Sequence, residues 1–248
     1  MVIPDVQLPY HDPVVLKKLI KVAEDHQPDR IVQIGDLIDM PQVSRWTKGN
    51  AGEYSLTLAD HISQTKDEFF SPLRKAAPKA AITWVKGNHD ERLTEYMTKY
   101  AYPVQPLMPS MSDLFELEKF DVSYVSGPTR IATNVYALHG HECGGYTSTI
   151  SLWDAKFQKR YGSDKSYVFG HTHQPALVAR ATGWHGDVVP RFTMNVGSIM
   201  DPSQASYVKD GSVNWTMSFG WIEDDGKRTW PELVLMYDRL FRFKGERY

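Results

Sequence analysis

The sequence predicts an α/β chain in which two packed β-sheets carry helices on their outer faces. Three observations predict it. In the first half, short apolar runs alternate with helically spaced apolar residues, which implies βαβ units and a largely parallel start to a sheet. The second half is richer in strand patterns punctuated by turns. The 248 residues, 42% hydrophobic and 23% charged, are enough for a sizeable core.

The elements follow in order. Only Val2 and Ile3 precede Pro4-Asp5, so the first strand is very short. Asp12-Pro13 opens a helix, with a capping carboxylate and then a proline at the first helical position. Val15, Leu16, Leu19, Ile20 and Ala23 recur at helical spacing and give it one face to pack on a sheet. Gln27-Pro28-Asp29 breaks it, and Ile31, Val32 and Ile34 form a buried strand ending at Gly35-Asp36. Leu56 to Phe70 reads as a helix, and Ala81 to Val85 as the next strand. Asp121 to Ser126 and Ile131 to Leu138 are expected to pair as a hairpin around Gly127-Pro128. Thr149 to Tyr161 reads as a helix with Leu152, Phe157 and Tyr161 toward the core, followed by the short strand Tyr167–Phe169. Beyond Ala176, strands are punctuated by turns at Gly183, Gly197, Asp210-Gly211 and Asp225-Gly226. No repeat, low-complexity tract or Gly/Ser linker divides the chain, so residues 1–248 are expected to form one domain.

Composition excludes several classes. It is ordinary for a globular protein and argues against whole-chain disorder, a collagen-like repeat or a disulfide scaffold. No apolar stretch approaches the ~20 residues of a membrane-spanning helix, and MVIPDVQLPY shows no basic-then-apolar leader. The lone Cys143 cannot form an internal disulfide, which fits a reducing compartment and a cytoplasmic location. A net charge of −2 argues against broad, charge-driven nucleic-acid binding but says little about a local site.

The chemistry lies where polar residues meet strand ends. Asp5 and Gln7 follow the first strand; Asp36, with Asp39 three residues on, follows the second. Asn88 and His89 follow the third, His139 follows Val135–Leu138, and His171 and His173 follow Tyr167–Phe169. Taken singly, each has a plainer explanation as a turn, a cap or a surface histidine. Together, five segments deliver oxygen or imidazole donors at a terminus, where open α/β sheets form their ligand crevice. Carboxylate, amide oxygen and imidazole suit a divalent first-row metal.

At these residues the sequence resembles the calcineurin-like metallophosphoesterases. Their ordered motifs D-x-H, G-D-x-x-D, G-N-H-D/E, H-G and G-H-x-H are matched by Asp5-Val6-Gln7, Gly35-Asp36-Leu37-Ile38-Asp39, Gly87-Asn88-His89-Asp90, His139-Gly140 and Gly170-His171-Thr172-His173. Asn195-Val196-Gly197-Ser198 is similar to a later family segment. The resemblance implies a four-layer αββα sandwich of two mixed sheets flanked by helices. It also implies two metal sites, one of Asp5, Gln7, Asp36 and His173, the other of Asp36, Asn88, His139 and His171. His89 matches the catalytic histidine, Asp39 a supporting position, and Asp90 is expected to orient His89. Two divalent ions contribute +4, and held roughly 3.5–4 Å apart they can activate a bridging water and clamp the phosphoryl oxygens.

The departures are informative. Gln7 stands where the family usually has histidine, as it also does in some members that act on nucleotide diphosphate compounds. Its harder, neutral oxygen tilts the expected metal toward Mn²⁺ or Mg²⁺ over Zn²⁺, with Fe²⁺ and Ni²⁺ also compatible. Protein phosphatases of the superfamily carry Arg directly after G-D-x-x-D, whereas Met40-Pro41 follows Asp39 here. The resemblance with these departures implies a phosphodiesterase acting on a nucleotide or nucleic-acid phosphate. The alternatives are a phosphomonoesterase or protein phosphatase, and a scaffold without catalysis. Arg92, His141 and Trp46 are the candidate substrate contacts, Trp46 within the basic-aromatic stretch Ser44–Asn50. The expected partner is a phosphate ester or nucleotide, with no membrane; the oligomeric state is left open.

Overall fold

A computed structural model describes residues 1–44, 49, 56–144, 149–184, 186–204 and 214–248. In chain order its strands are β1 (Val2–Ile3), β2 (Arg30–Gln33), β3 (Ala81–Val85), β4 (Val122–Val125), β5 (Thr129–Ala132), β6 (Val135–Ala137) and β7 (Ser166–Phe169). They continue with β8 (Ala176–Trp184), β9 (Asp187–Asn195), β10 (Ser218–Asp224), β11 (Thr229–Leu235), β12 (Arg242–Phe243) and β13 (Glu246–Arg247). The α-helices are α1 (Pro13–His26), α2 (Leu58–Thr65), α3 (Ser71–Ala76), α4 (Arg92–Tyr100), α5 (Met111–Leu114) and α6 (Ile150–Tyr161).

One sheet has six strands in the order β11-β10-β1-β2-β3-β4, with β1 through β4 parallel, β10 antiparallel to β1, and β11 antiparallel to β10. The second has five, β5-β6-β7-β9-β8, parallel at its centre and antiparallel at both edges. Strand alternation sorts the apolar residues by face. Val2, Val32, Ile34 and Val85 of the first sheet pack against Val135, Ala137, Val168, Met194 and Val196 of the second. On its other face the first sheet turns Ile3, Ile31, Ile82 and Trp84 toward Val15, Leu16, Leu19, Phe69, Phe70 and Leu73 of the helices. The second sheet covers its outer face with Trp153 and Phe157 of α6. The result is the four-layer αββα order, helix–sheet–sheet–helix. Among the described residues, no helix is long and apolar enough to cross a membrane.

Several local expectations are met for the stated reasons. Asp12 Oδ1 caps α1 through Val14 N at 2.9 Å and Val15 N at 3.1 Å. The two-residue β1 is held from both sides, with Val2 registered against Val32 and Gly220. Other expectations are corrected. The second helix does not stop at Phe70: a π-helical turn, Lys66–Phe70, carries it into α3. Pro72 has no N–H to donate, and a wide turn is one way a helix passes such a residue. Asp121–Ser126 and Ile131–Leu138 do not pair. β4 extends the parallel register of β3, the chain crosses to the other sheet at Gly127-Pro128, and the hairpin is β5–β6. In α6, Leu152 is 55% exposed and Trp153 takes the core position. Gly183 lies within β8 rather than in a turn. The expected Asp210-Gly211 turn lies outside the described residues.

Candidate metal centre

The two sheets bring their parallel-strand C-termini to one end, and each ligand candidate sits just past such a terminus. Asp5 follows β1 and bridges to Ser198, whose Oγ donates to Asp5 O at 3.0 Å. Asp36 follows β2, Asn88 follows β3, His139 follows β6, and His171 and His173 follow β7. The turns are tight. Gln7, Asp36, His171 and His173 all have positive φ, from 51° to 69°, a conformation L-residues adopt at a cost. Asn195 braces the last of these loops: its Nδ2 donates to Gly170 O at 3.2 Å and Thr172 Oγ1 at 2.6 Å. Two glycines permit the close approach. A Cβ at Gly170 would lie 2.0 Å from Asp5 Oδ1, and one at Gly87 would lie 2.2 Å from Asp36 Oδ1.

The side chains converge in two overlapping groups. In the first, His173 Nε2 lies 3.2 Å from Asp5 Oδ2 and 3.0 Å from Gln7 Nε2. In the second, His139 Nε2 lies 3.1 Å from Asp36 Oδ2 and 3.1 Å from Asn88 Oδ1. Asp36, His139 and His171 each offer a ligand atom, and these atoms all lie within 4.8 Å of one another. The groups touch: Asp5 Oδ2 accepts from His171 N at 2.9 Å, and Asp5 Oδ1 is 4.0 Å from His139 Nδ1. Asn88 is half-buried; the other six are buried.

Beside them stands a histidine with its own support. His89 Nδ1 is 2.5 Å from Asp39 Oδ1, and its Nε2 is 3.7 Å from Asp36 Oδ2. Arg92 turns back from the start of α4: Nη1 reaches Asp39 Oδ1 at 3.0 Å, and Nη2 lies 3.2 Å from His89 Nε2. The expectation that Asp90 orients His89 is corrected here. Asp90 faces away and accepts from Asp36 N, Leu37 N, Ile38 N, Gly87 N and Trp84 Nε1 at 2.8–3.3 Å. It ties the Asp36 turn to the Asn88 turn; Asp39 holds the imidazole. The G-D-x-x-D spacing singled out Asp39 but did not show which carboxylate faces the ring. His141 is partly exposed, with Nε2 3.4 Å from Glu91 Oε2 and its ring 5.4 Å from that of His139. Trp46 lies outside the described residues.

The electrostatics follow from crowding. Burial would raise the Asp36 carboxyl, but the His139 and His89 imidazoles hold it well below the usual range. Burial would lower His139, yet Asp36 and Asp5 push it up to about 10. His171 is pushed down to about 2 by burial and by His139 beside it. Burial would raise Asp39, but His89 and Arg92 lower it. A proton on His139 therefore does electrostatically what a cation would do. Two buried oxygens of the site, Asp5 Oδ1 and Gln7 Oε1, have no hydrogen-bond partner among the described residues. Buried acceptors without donors are costly and uncommon; a cation satisfies Asp5 Oδ1 as it stands, and Gln7 Oε1 once its amide is turned over. The donor set and these two oxygens fit divalent metal ions.

Comparison with known proteins gives the family. Residues 1–187 match the family described as calcineurin-like phosphoesterase. The chain is 32% identical to the Gene 54 protein of Mycobacterium phage D29, over 99% of this chain and 96% of the relative. It is 32% identical to the Gene 54 protein of Mycobacterium phage L5, with the same coverage. Among solved structures, a Vps29 single mutant from Entamoeba histolytica is similar with a TM-score of 0.49 at 15% identity, covering 100% of this chain and 96% of that one. YfcE, a phosphoesterase from E. coli, is similar with a TM-score of 0.40 at 18% identity, covering 94% and 87%.

Proposed function

Because the chain belongs to the calcineurin-like phosphoesterase family, and so to the metal-dependent phosphoric-ester hydrolases, we propose that it is a phosphodiesterase acting on a nucleotide or nucleic-acid phosphate. Asp5, Gln7, Asp36 and His173 would hold one divalent cation, and Asp36, Asn88, His139 and His171 a second, with Asp36 shared. When bound, such ions offset phosphate charge and lower the pKa of water. The oxygen-rich first group favours Mn²⁺ or Mg²⁺; an amide turn at Gln7 exchanges its nitrogen and oxygen, so Oε1 can face the cation.

The chain's own groups divide the remaining work. Asp39 accepts from His89 Nδ1 and fixes the imidazole, so that Nε2 can carry a proton to the leaving oxygen. Arg92 Nη2, close to that same Nε2, is placed to donate to a phosphate oxygen.

The observation that carries the diester reading is charge. Met40, with its side chain buried, follows Asp39, so no cation stands at that point. Among the described residues Arg92 reaches His89, and Asp39 already offsets its charge at 3.0 Å. Such a site suits a monoanionic diester better than a dianionic monoester. Parallel assays of bis(4-nitrophenyl) phosphate and 4-nitrophenyl phosphate with Mn²⁺ test the proposal. The diester should be cleaved with the higher kcat/KM; a clear preference for the monoester would replace this reading with a phosphomonoesterase.

A further inference from the structure

The first turn of α4 carries Arg92 into the metal centre, where Nη2 lies 3.2 Å from His89 Nε2. The same face of the helix then leads away from the centre and presents aromatic rings to solvent. Tyr96 and Tyr100 follow Arg92 at four-residue steps, so all three fall within an arc of about 80° and rise about 6 Å per step. The helix packs on the core through Leu93 and Met97, which leaves Tyr96 40% and Tyr100 58% exposed. The two ring centroids are 5.0 Å apart with the planes 50° apart, so each ring restrains the other. Lys99 Nζ stands 5.0 Å from the centroid of the Tyr100 ring and adds a cation to the row. Glu95, the one acid of this helix, lies about 100° round from Tyr96.

We propose that this face is the track of a single-stranded nucleic acid, which leaves the metal centre past Arg92 with its bases stacked on Tyr96 and Tyr100. The inference rests on the phosphodiesterase reading and names the strand state of its substrate. The track is continuous with the centre, because one helix supplies both Arg92 and the rings. Exposed aromatic rings stack on any base, whatever the sequence. A duplex keeps its base faces inside its own stack and offers none to a tyrosine. A mononucleotide held at His89 meets the first ring but not both, since Tyr100 lies about 12 Å further along the helix than Arg92. Arg92 and Lys99 offset the charge of the strand at only two points. That agrees with a chain of net charge −2, in which stacking rather than counterion release carries the affinity.

The test is fluorescence anisotropy of a labelled oligothymidylate of about eight nucleotides. The Mn²⁺-loaded His89→Asn protein is used, so that the strand outlasts the measurement. An abasic deoxyribose-phosphate strand of the same length and a hairpin duplex are the controls. The single strand should bind at least about tenfold more tightly than either. Tyr96→Ala and Tyr100→Ala should each weaken it about tenfold, the loss of one stacked base. Tyr96→Phe keeps the ring and should keep the binding. With His89 intact, each alanine variant should lower, by a similar factor, the ratio of kcat/KM for the oligothymidylate to that for bis(4-nitrophenyl) phosphate. Equal binding of the abasic strand or the duplex overturns the track even if the generic diester is cleaved. So does binding, or a ratio, that neither alanine variant moves. A dimer in sedimentation that depends on Tyr96 would give the face to a second copy and overturn the track too. Tyrosine-dependent strand binding without cleavage of any diester by the wild type would leave the track standing and overturn the phosphodiesterase reading instead.

Discussion

Replacing Asp39 by Asn isolates what the carboxylate does for His89. The substitution is nearly isosteric, and Asp39 is outside both ligand groups. It removes the negative charge from the buried 2.5 Å contact to His89 Nδ1 and from the 3.0 Å pairing with Arg92 Nη1, leaving an amide oxygen as the weaker acceptor. A hydrogen bond to a charged group contributes about 1.5–3 kcal/mol, and each ~1.4 kcal/mol is tenfold in rate. If the contact is worth that much in the transition state, kcat for bis(4-nitrophenyl) phosphate should fall about ten- to hundredfold. Arg92 keeps the Asp39 carbonyl, which accepts from Nη1 at 2.5 Å, so the guanidinium should stay in place and KM should move less. The assay is steady-state hydrolysis at saturating Mn²⁺, with bound metal counted by elemental analysis on the same preparation. A rate within twofold of wild type would refute the assignment of Asp39 as the group that positions His89. So would a loss of bound metal, because the effect would then lie in the wrong part of the site.

Three further outcomes follow from the same geometry. Asp90→Ala strips the acceptor from four backbone N–H groups and the Trp84 indole; at about 1–3 kcal/mol for each donor left unsatisfied, urea unfolding should show a loss of at least ~3 kcal/mol. Gly170→Ala places a Cβ 2.0 Å from Asp5 Oδ1, so calorimetry should show Mn²⁺ affinity reduced at least about tenfold while the circular dichroism spectrum is kept. Mn²⁺ affinity should fall with pH. His139, raised to about 10, must release its proton to ligate, whereas His171, lowered to about 2, is already neutral; titrations from pH 8 to pH 6 should show about a tenfold loss per unit, and a flat profile would contradict the assignment of His139.

The ligand candidates were legible because each follows a short apolar run, and a strand's end fixes where the next polar side chain emerges. That logic places Asp5, Asp36, Asn88, His139, His171 and His173 together with no knowledge of the loops. It fails where two arrangements share one pattern. Asp121 to Ser126 and Ile131 to Leu138, flanking Gly127-Pro128, read as a hairpin whether the strands pair or divide between two sheets, and only the register of β4 on β3 decides. Asp90 is the sequence neighbour of His89 and Asp39 lies 50 residues away, but Asp90 is drawn toward Trp84 Nε1 and four backbone donors that the sequence does not locate. Leu152 departs because Trp153, four residues before Phe157, shares the face of Phe157 and Tyr161, whereas Leu152 lies about 100° round the helix from Trp153.

Counting Mn²⁺ by equilibrium dialysis, in wild type and in Asp36→Ala, tests the shared-carboxylate centre most directly. Two ions per wild-type chain are predicted, with affinity at both positions weakened when Asp36 is removed, because that side chain would serve both donor groups. A folded wild-type protein that binds no Mn²⁺ at millimolar concentration, or an Asp36→Ala variant that binds two as tightly as wild type, would contradict the account.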